Sequence, residues 1–252
     1  MPETRRLKLI VSYDGRDFAG WQSQKHGNTI QDRIEQSFAK ISGRRVAVIG
    51  AGRTDAGVHA FGQCAHVDVP AEKFSEHDWR KALNGVLPLT IRILRARFVS
   101  EEFHARFSAR AKLYRYRVAN TDILSPFEIG RAWHVIDPVD FELLEKGAPL
   151  FIGRHDFASF AASRGKAETD TIRTVESIHA FRVGGILTIE IWGDGFLYKM
   201  VRMLIAALVQ CALGKAPLEE IASRLTATPQ STLRTPRLVA PAEGLYLVRV
   251  RY

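Results

Sequence analysis

The run Gly52-Arg53-Thr54-Asp55-Ala56-Gly57-Val58-His59 sets a cation, a hydroxyl, a carboxylate and an imidazole among small residues. Glycines at that density let the backbone turn sharply and let a ligand approach closely. An aspartate two residues from an arginine is expected to be ionised at neutral pH, which suits nucleophilic or electrostatic work better than acid catalysis. Taken alone, the string also fits an Asx turn in a tight loop. His59, Cys64 and His66 invite a zinc reading, but H-x4-C-x-H is not a standard site and no second ligand cluster accompanies it. There is no P-loop, no dinucleotide fingerprint and no Ser-His-Asp arrangement in a plausible context.

A second stretch carries chemistry of another kind. From His104 to Arg117 there are five Arg or Lys residues and no acid, interleaved with Phe107, Tyr114 and Tyr116. Cations for phosphates and rings for bases make a nucleic-acid footprint, and the plain alternative is a solvated strand face. The whole chain agrees in sign: 36 Lys and Arg against 27 Asp and Glu give +9, which favours a polyanionic partner.

The elements that must position these residues follow from periodicity. Leu7 to Tyr13 reads as a strand. Thr29 caps a helix with Ile30, Ile34, Phe38 and Ile41 at helical spacing, ending at Gly43. Val46 to Ala51 and Ala60 to Val69 read as strands on either side of the Asp55 segment. Ser75 opens a helix around Trp79 and Leu83, and Thr90 to Val99 is a strand. That order, βαββαβ, is the split form found in ferredoxin-like folds. The second half repeats it: strand Lys112 to Ala119, helix Pro138 to Phe151, and a loop Gly153 to Arg173 long enough to suggest function. Strands Val175 to Val183 and Ile186 to Trp192 then flank the turn Gly184-Gly185. A helix Leu197 to Leu213, a short helix near Leu218 to Leu225 and a strand Leu245 to Val250 follow. The expectation is an α+β protein of two pseudo-duplicated ferredoxin-like halves, 1–103 and 104–252, with antiparallel sheets flanking a central RNA-binding cleft. With 252 residues and 46% hydrophobic content, a core can be buried without disulfide or metal. The two cysteines, Cys64 and Cys211, read as buried thiols in a reducing compartment. No uncharged apolar stretch is long enough to span a membrane, the best candidate containing Arg202, so a cytoplasmic protein is expected.

The string GRTDAGVHAFGQ, residues 52 to 63, resembles the catalytic signature of the tRNA pseudouridine synthase A family. The resemblance extends in order through most of the chain. It takes in Tyr13-Asp14-Gly15 with Phe18, Gly20-Trp21-Gln22, Thr29-Ile30-Gln31, Ala82-Leu83-Asn84 through Leu87-Pro88 and Ile91, and Phe103 to Ala109. Beyond these it covers Lys112 to Tyr116, Asp156-Phe157-Ser159-Phe160, Arg173-Thr174-Val175, Phe196 to Arg202 and Ala240 to Leu247. It implies the pseudouridine synthase fold and isomerisation of uridine to pseudouridine at tRNA positions 38, 39 and 40, in the anticodon stem-loop, by a homodimer that uses no cofactor. It implies that Asp55 is the catalytic carboxylate, acting by charge stabilisation at C1′, by attack there, or by assisting proton loss from C2′. It implies that Tyr114 stacks on the base and can serve in proton transfer at C5, and that Arg202 pairs with the catalytic aspartate. Arg53 resembles the residue that helps extrude the target nucleotide, its alternative being a surface phosphate contact. Leu245 packs at the pocket floor or is a plain core leucine. Thr54, His59, Gln63, Arg106, Arg110 and Arg173 fall on the substrate side of the same resemblance. Two rival readings make other predictions: a non-catalytic RNA-binding protein or chaperone, and a metal-dependent RNA hydrolase.

Overall fold

The computed structural model describes residues 4–25, 27–71, 74–163, 165, 170–226 and 238–252. The chain folds as two compact units, 1–110 with 246–252, and 111–245. The sequence pattern places its boundary slightly earlier, at 103/104, and keeps the terminal strand with the second half.

In the first unit, strands β1 (Thr4–Tyr13), β2 (Ile49–Gly50), β3 (His59–Pro70) and β4 (Ile91–Val99) combine with helices α1 (Ile30–Ser42) and α2 (Glu76–Val86) in the order βαββαβ. β1 lies between β3 and β4, antiparallel to both. β1 alternates strictly: Leu7, Leu9, Val11 and Tyr13 are buried on one face while Lys8, Ile10 and Ser12 are half-buried on the other. Both helices begin in reciprocal capping boxes, Thr29 with Asp32 and Ser75 with Asp78. α1 ends at Gly43 in the left-handed conformation (φ 74°). Phe38 and Trp79 meet with ring centroids 5.3 Å apart, joining the helices to each other. Burying each such large apolar side chain contributes about 1.5–3 kcal/mol.

β2 is much shorter than the strand expected over Val46 to Ala51. The amide of Val48 donates to a Glu35 carboxylate oxygen on α1 at 2.9 Å, so the backbone there serves a helix side chain and not a strand ladder. At Gly50 the Trp21 indole presses so close that a Cβ would lie 2.6 Å from it. Pairing is kept at Ile49 with His66 and Gly50 with Ala65, and the Ala51 amide donates to the Cys64 carbonyl at 2.7 Å.

The second unit is built on β5 (Ala111–Ala119), β8 (Ile172–Val183) and β9 (Ile186–Gly193), with β9 antiparallel to both neighbours. Two-residue β6 (Trp133–His134) pairs with β5, and β7 (Gly153–Asp156) pairs with β8. Gly184, at φ 57°, makes the tight β8–β9 turn. Helices α3 (Phe141–Gly147), α4 (Met200–Ala212) and α5 (Leu218–Thr226) complete it. In chain order β5, α3, β8, β9, α4 and β10 (Leu245–Arg251) repeat βαββαβ. From Tyr246 onward β10 belongs to the first unit, where Tyr246 and Leu247 pair parallel with His59 and Ala60 of β3.

Three expectations change here. The helix expected from Pro138 starts later because the Asp140 side chain accepts the Leu143 amide, and Pro149 turns its end into a 3-10 turn, Ala148–Phe151. The loop expected over Gly153 to Arg173 is shorter, since β7 and the start of β8 occupy its ends; residues 164 and 166–169 lie outside the described residues. α4 begins at Met200, after Lys199 in a left-handed conformation (φ 60°), and not at Leu197. Among the described residues, no helix is long and apolar enough to cross a membrane.

Candidate active site

Asp55 sits half-buried on the loop that leads into β3. The loop is held by the first twenty or so residues of the chain. The Tyr13 phenol and the Thr54 hydroxyl share a buried hydrogen bond of 2.8 Å. The Trp21 amide donates to the Thr54 carbonyl at 3.0 Å, and the Val58 amide closes a turn on the Asp55 carbonyl at 3.1 Å. From below, Gln63 of β3, with no exposed surface, donates its side-chain amide to the Gly52 carbonyl at 2.8 Å. Gly15 and Gly20 complete the cradle. A Cβ on Gly15 would lie 1.9 Å from the Val58 carbonyl oxygen, and one on Gly20 would lie 2.5 Å from that of Thr54.

Arg53 is exposed, and its Nε donates to the Gln22 side-chain oxygen at 3.1 Å. Gln22 is fixed in turn by donating to Gln31 of α1 at 2.7 Å. His59 is buried; its Nδ1 accepts the Gly15 amide at 3.1 Å and its ring stacks on Tyr246 at 4.6 Å. The carboxyl of neighbouring Asp14 is partly buried, which raises it, but hydrogen bonds from Arg16 and the Arg16 charge leave it below the ordinary carboxylate range. The structure thus brings Arg53, Thr54, Asp55, His59 and Gln63 onto one braced loop and strand start. Of these, Arg53 and Asp55 are the side chains with solvent access.

The second unit carries other expected residues. Tyr114 of β5 is nearly buried, with the Phe196 ring edge-on at 5.2 Å. Arg202 of α4 is half-buried on a helix otherwise apolar almost all round, and its Nε donates to the Ala240 carbonyl at 2.7 Å. The Ala240 amide donates back to the Arg202 carbonyl at 3.1 Å. Leu245, a few residues on, is buried at the start of β10. Arg173 lies at the start of β8, its side chain packed over Gly195 in the segment that precedes α4. Tyr116 is a core residue: its hydroxyl donates to the Pro241 carbonyl at 2.8 Å and its ring packs on Gly244. Burial, opposed by Arg202 and reinforced by Glu243, pushes the Tyr116 phenol well above its ordinary value, so it stays protonated.

The basic segment from His104 to Arg117 divides in two. On β5, Arg115 pairs with Glu190 and Arg117 with Glu128, each at 2.6 Å, and Tyr116 is fully buried. Strand alternation sends the arginines to one face and the tyrosines to the other. Only the loop before it presents exposed cations and a ring together: Arg106, Phe107 and Arg110.

That loop is pinned through β3. His66, 2% exposed, accepts the Ala105 amide on Nδ1 at 3.1 Å, and the Tyr252 hydroxyl donates to the Ala105 carbonyl at 2.8 Å. Burial first, then the charge of Arg6 and the neighbouring His104 ring, hold the His66 imidazole down to about 4, against a smaller opposing pull from Asp68. The unfolded chain therefore takes up a proton here before the folded one does. The stabilisation is complete above pH ~6.5 and is lost as pH falls from there towards 4, by roughly 3 kcal/mol in all. A His66→Asn variant keeps an acceptor oxygen for Ala105 but cannot titrate. Melting curves between pH 7 and 5, above most carboxylate titration, should fall for the parent and stay nearly level for the variant. Parallel curves would show that His66 does not govern the acid limb.

Comparison with known proteins gives the family of the chain. A family model described as tRNA pseudouridine synthase matches residues 9–108 and 148–252. The tRNA pseudouridine synthase A of Akkermansia muciniphila is 44% identical over 98% of this chain and 95% of its own length. Those of Acetivibrio thermocellus and Limosilactobacillus reuteri are 41% and 40% identical, each over 98% of this chain and over 100% and 96% of their own lengths. Among solved structures, a crystal structure of a Cbf5-Nop10-Gar1 complex is similar with a TM-score of 0.38 at 12% identity, covering 96% of this chain and 48% of that one, too distant to bear on function. The chain belongs to the tRNA pseudouridine synthase family.

The sequence reading missed the supports. Tyr13, Gly15, Gly20, Trp21 and Gln22 were legible only as parts of a resemblance, with no physical role attached. Two glycines and aromatics packed into one short opening block were the available signal.

Proposed function

We propose that the chain isomerises uridine to pseudouridine in tRNA, at positions 38, 39 and 40 of the anticodon stem-loop, with Asp55 as the catalytic carboxylate. The reaction breaks the N1–C1′ bond, turns the uracil and rejoins it to C1′ through C5. The C5 proton leaves and N1 gains one, so atoms balance without a redox partner. The observation that carries the proposal is the bracing of one solvent-accessible carboxylate by at least four hydrogen bonds to its loop, none of which uses that carboxylate. A charge held so is preorganised for a developing positive centre. Stabilisation of C1′, attack upon it and assisted loss of the C2′ proton all draw on this carboxylate.

Arg53 is the residue that helps extrude the nucleotide; Gln22 steers its guanidinium outward, and flipping costs a few kcal/mol that a cation among phosphates can offset. Tyr114 is the ring that meets the base. Arg202 is the cation that serves the carboxylate, a role that rests on the family resemblance. Thr54, His59 and Gln63 act by holding the loop, while Arg106, Arg110 and Arg173 meet phosphates; Leu245 packs beneath the base. The working form is a cytoplasmic homodimer, which extends the positive surface available to a tRNA. Mapping pseudouridine in unmodified tRNA treated with the purified protein tests the proposal. New pseudouridine at 38 to 40 is the expected result; strand cleavage that chelators abolish, or binding with no base change, would replace it.

A further inference from the structure

We propose that Phe107 is a stacking platform for an unpaired base of the bound RNA, a role that rests on the reading of the chain as an RNA-modifying enzyme. Phe107 is 76% exposed, so its ring adds little to the hydrophobic core. It is nonetheless fixed in place. One face of the ring stacks on His104 at 4.3 Å with planes 27° apart. His104 Nδ1 accepts the amides of both Arg106 and Phe107 at 3.2 Å, and the Ser108 amide donates to the His104 carbonyl at 2.9 Å. The His104 ring meets buried His66 edge-on at 4.8 Å, and His66 holds the Ala105 amide.

The result is a pedestal of two imidazoles carrying an exposed phenyl ring. Scattered exposed hydrophobic residues are common and need no explanation. Phe127, 84% exposed, is one of these: it lies beside Glu128, which Arg117 neutralises. Phe107 differs in its surroundings. The guanidinium of Arg106 lies 5.6 Å from its ring centroid, and exposed Arg110 follows on the same loop. A preorganised ring beside cations suits a base whose phosphate is held alongside. A paired base inside a helix has both faces covered, so the fitting partner is a base in a loop or at a helix end.

Stacking and phosphate contacts respond differently to salt, which gives the test. Affinity for a whole tRNA is measured over a range of salt for the parent, Phe107→Leu, Phe107→Trp and Arg106→Gln proteins. Phe107→Leu is expected to weaken binding about ten-fold at every salt concentration, leaving the slope of log K against log salt unchanged. Arg106→Gln is expected to flatten that slope by about one phosphate contact. Phe107→Trp should bind at least as tightly as the parent and show fluorescence quenching with tRNA that a blunt RNA duplex does not produce. Parent affinity in the folded Phe107→Leu protein would overturn the proposal, as would equal quenching by the duplex. A change of oligomeric state with unchanged affinity per protomer would assign the ring to self-contact and overturn it too. Failure of the parent to form pseudouridine would refute the functional reading instead, and the binding series would still be decided on its own terms.

Discussion

An Asp55→Asn protein is expected to bind tRNA about as well as the parent and to form no measurable pseudouridine. Asn preserves the shape of the side chain and removes its charge. Four hydrogen bonds that set the course of the loop do not use that charge. The Tyr13–Thr54 bond, the Trp21 amide to Thr54, the Gln63 amide to Gly52 and the Val58 amide to the Asp55 carbonyl all survive the change. Thermal unfolding should therefore move by only a few degrees. Catalysis should fall by at least three decades, about 4 kcal/mol or more of lost transition-state stabilisation. The C5 proton must leave in every turnover, so tritium release from tRNA labelled at uridine C5 follows the reaction directly. Release at the parent rate would make Asp55 a turn-forming residue and nothing more. A protein that melts early and no longer binds tRNA would make it structural in a stronger sense. Both outcomes differ from the expected pattern of intact binding with absent chemistry.

The turn that carries Asp55 was legible because its signal is local: eight consecutive residues supply the charge, the small residues and the glycines, although taken alone they fit an Asx turn as well. The helix ends were legible for the same reason, since Thr29, Asp32 and Gly43 act within one turn of their own helix. What the sequence hid depends on partners far along the chain. β2 is short because Val48 gives its amide to Glu35, and no period within Val46 to Ala51 records that choice. β7, Gly-Arg-His-Asp, is a strand with no apolar alternation to show it. The basic stretch from His104 to Arg117 read as one surface because its acids, Glu128 and Glu190, lie elsewhere. Only with those partners in place does the exposed part shrink to Arg106, Phe107 and Arg110. Gly20 is hidden in the same way: nothing in its own neighbours says that the peptide of Asp55 lies against it.

Gly20→Ala should therefore disable the enzyme without touching any reacting group. Gly20 has φ +88°, and an added Cβ would lie 2.5 Å from the Thr54 carbonyl oxygen, 3.0 Å from the Asp55 carbonyl carbon and 3.1 Å from the Ala56 nitrogen. All three are backbone atoms, so no rotamer change relieves the contact. Nor can Gly20 retreat: its carbonyl accepts the Ile30 amide at the start of α1, and the next carbonyl, of Trp21, accepts that of Gln31, each at 3.0 Å. The peptide carrying Asp55 must move instead. A displacement approaching 1 Å at a reacting group costs about 100-fold in rate, and the left-handed conformation costs Ala a further ~1 kcal/mol of stability. Gly43→Ala separates the two effects. Gly43 has a similar φ, +74°, with nothing within 4 Å of an added Cβ, so it incurs the conformational cost alone. At a temperature where both variants are fully folded, Gly43→Ala should keep the parent kcat and Gly20→Ala should lose about two decades of it, with KM little changed. Equal activity in the two would mean that the loop absorbs the extra carbon. The carboxylate would then owe its position to something other than the close approach of Gly20.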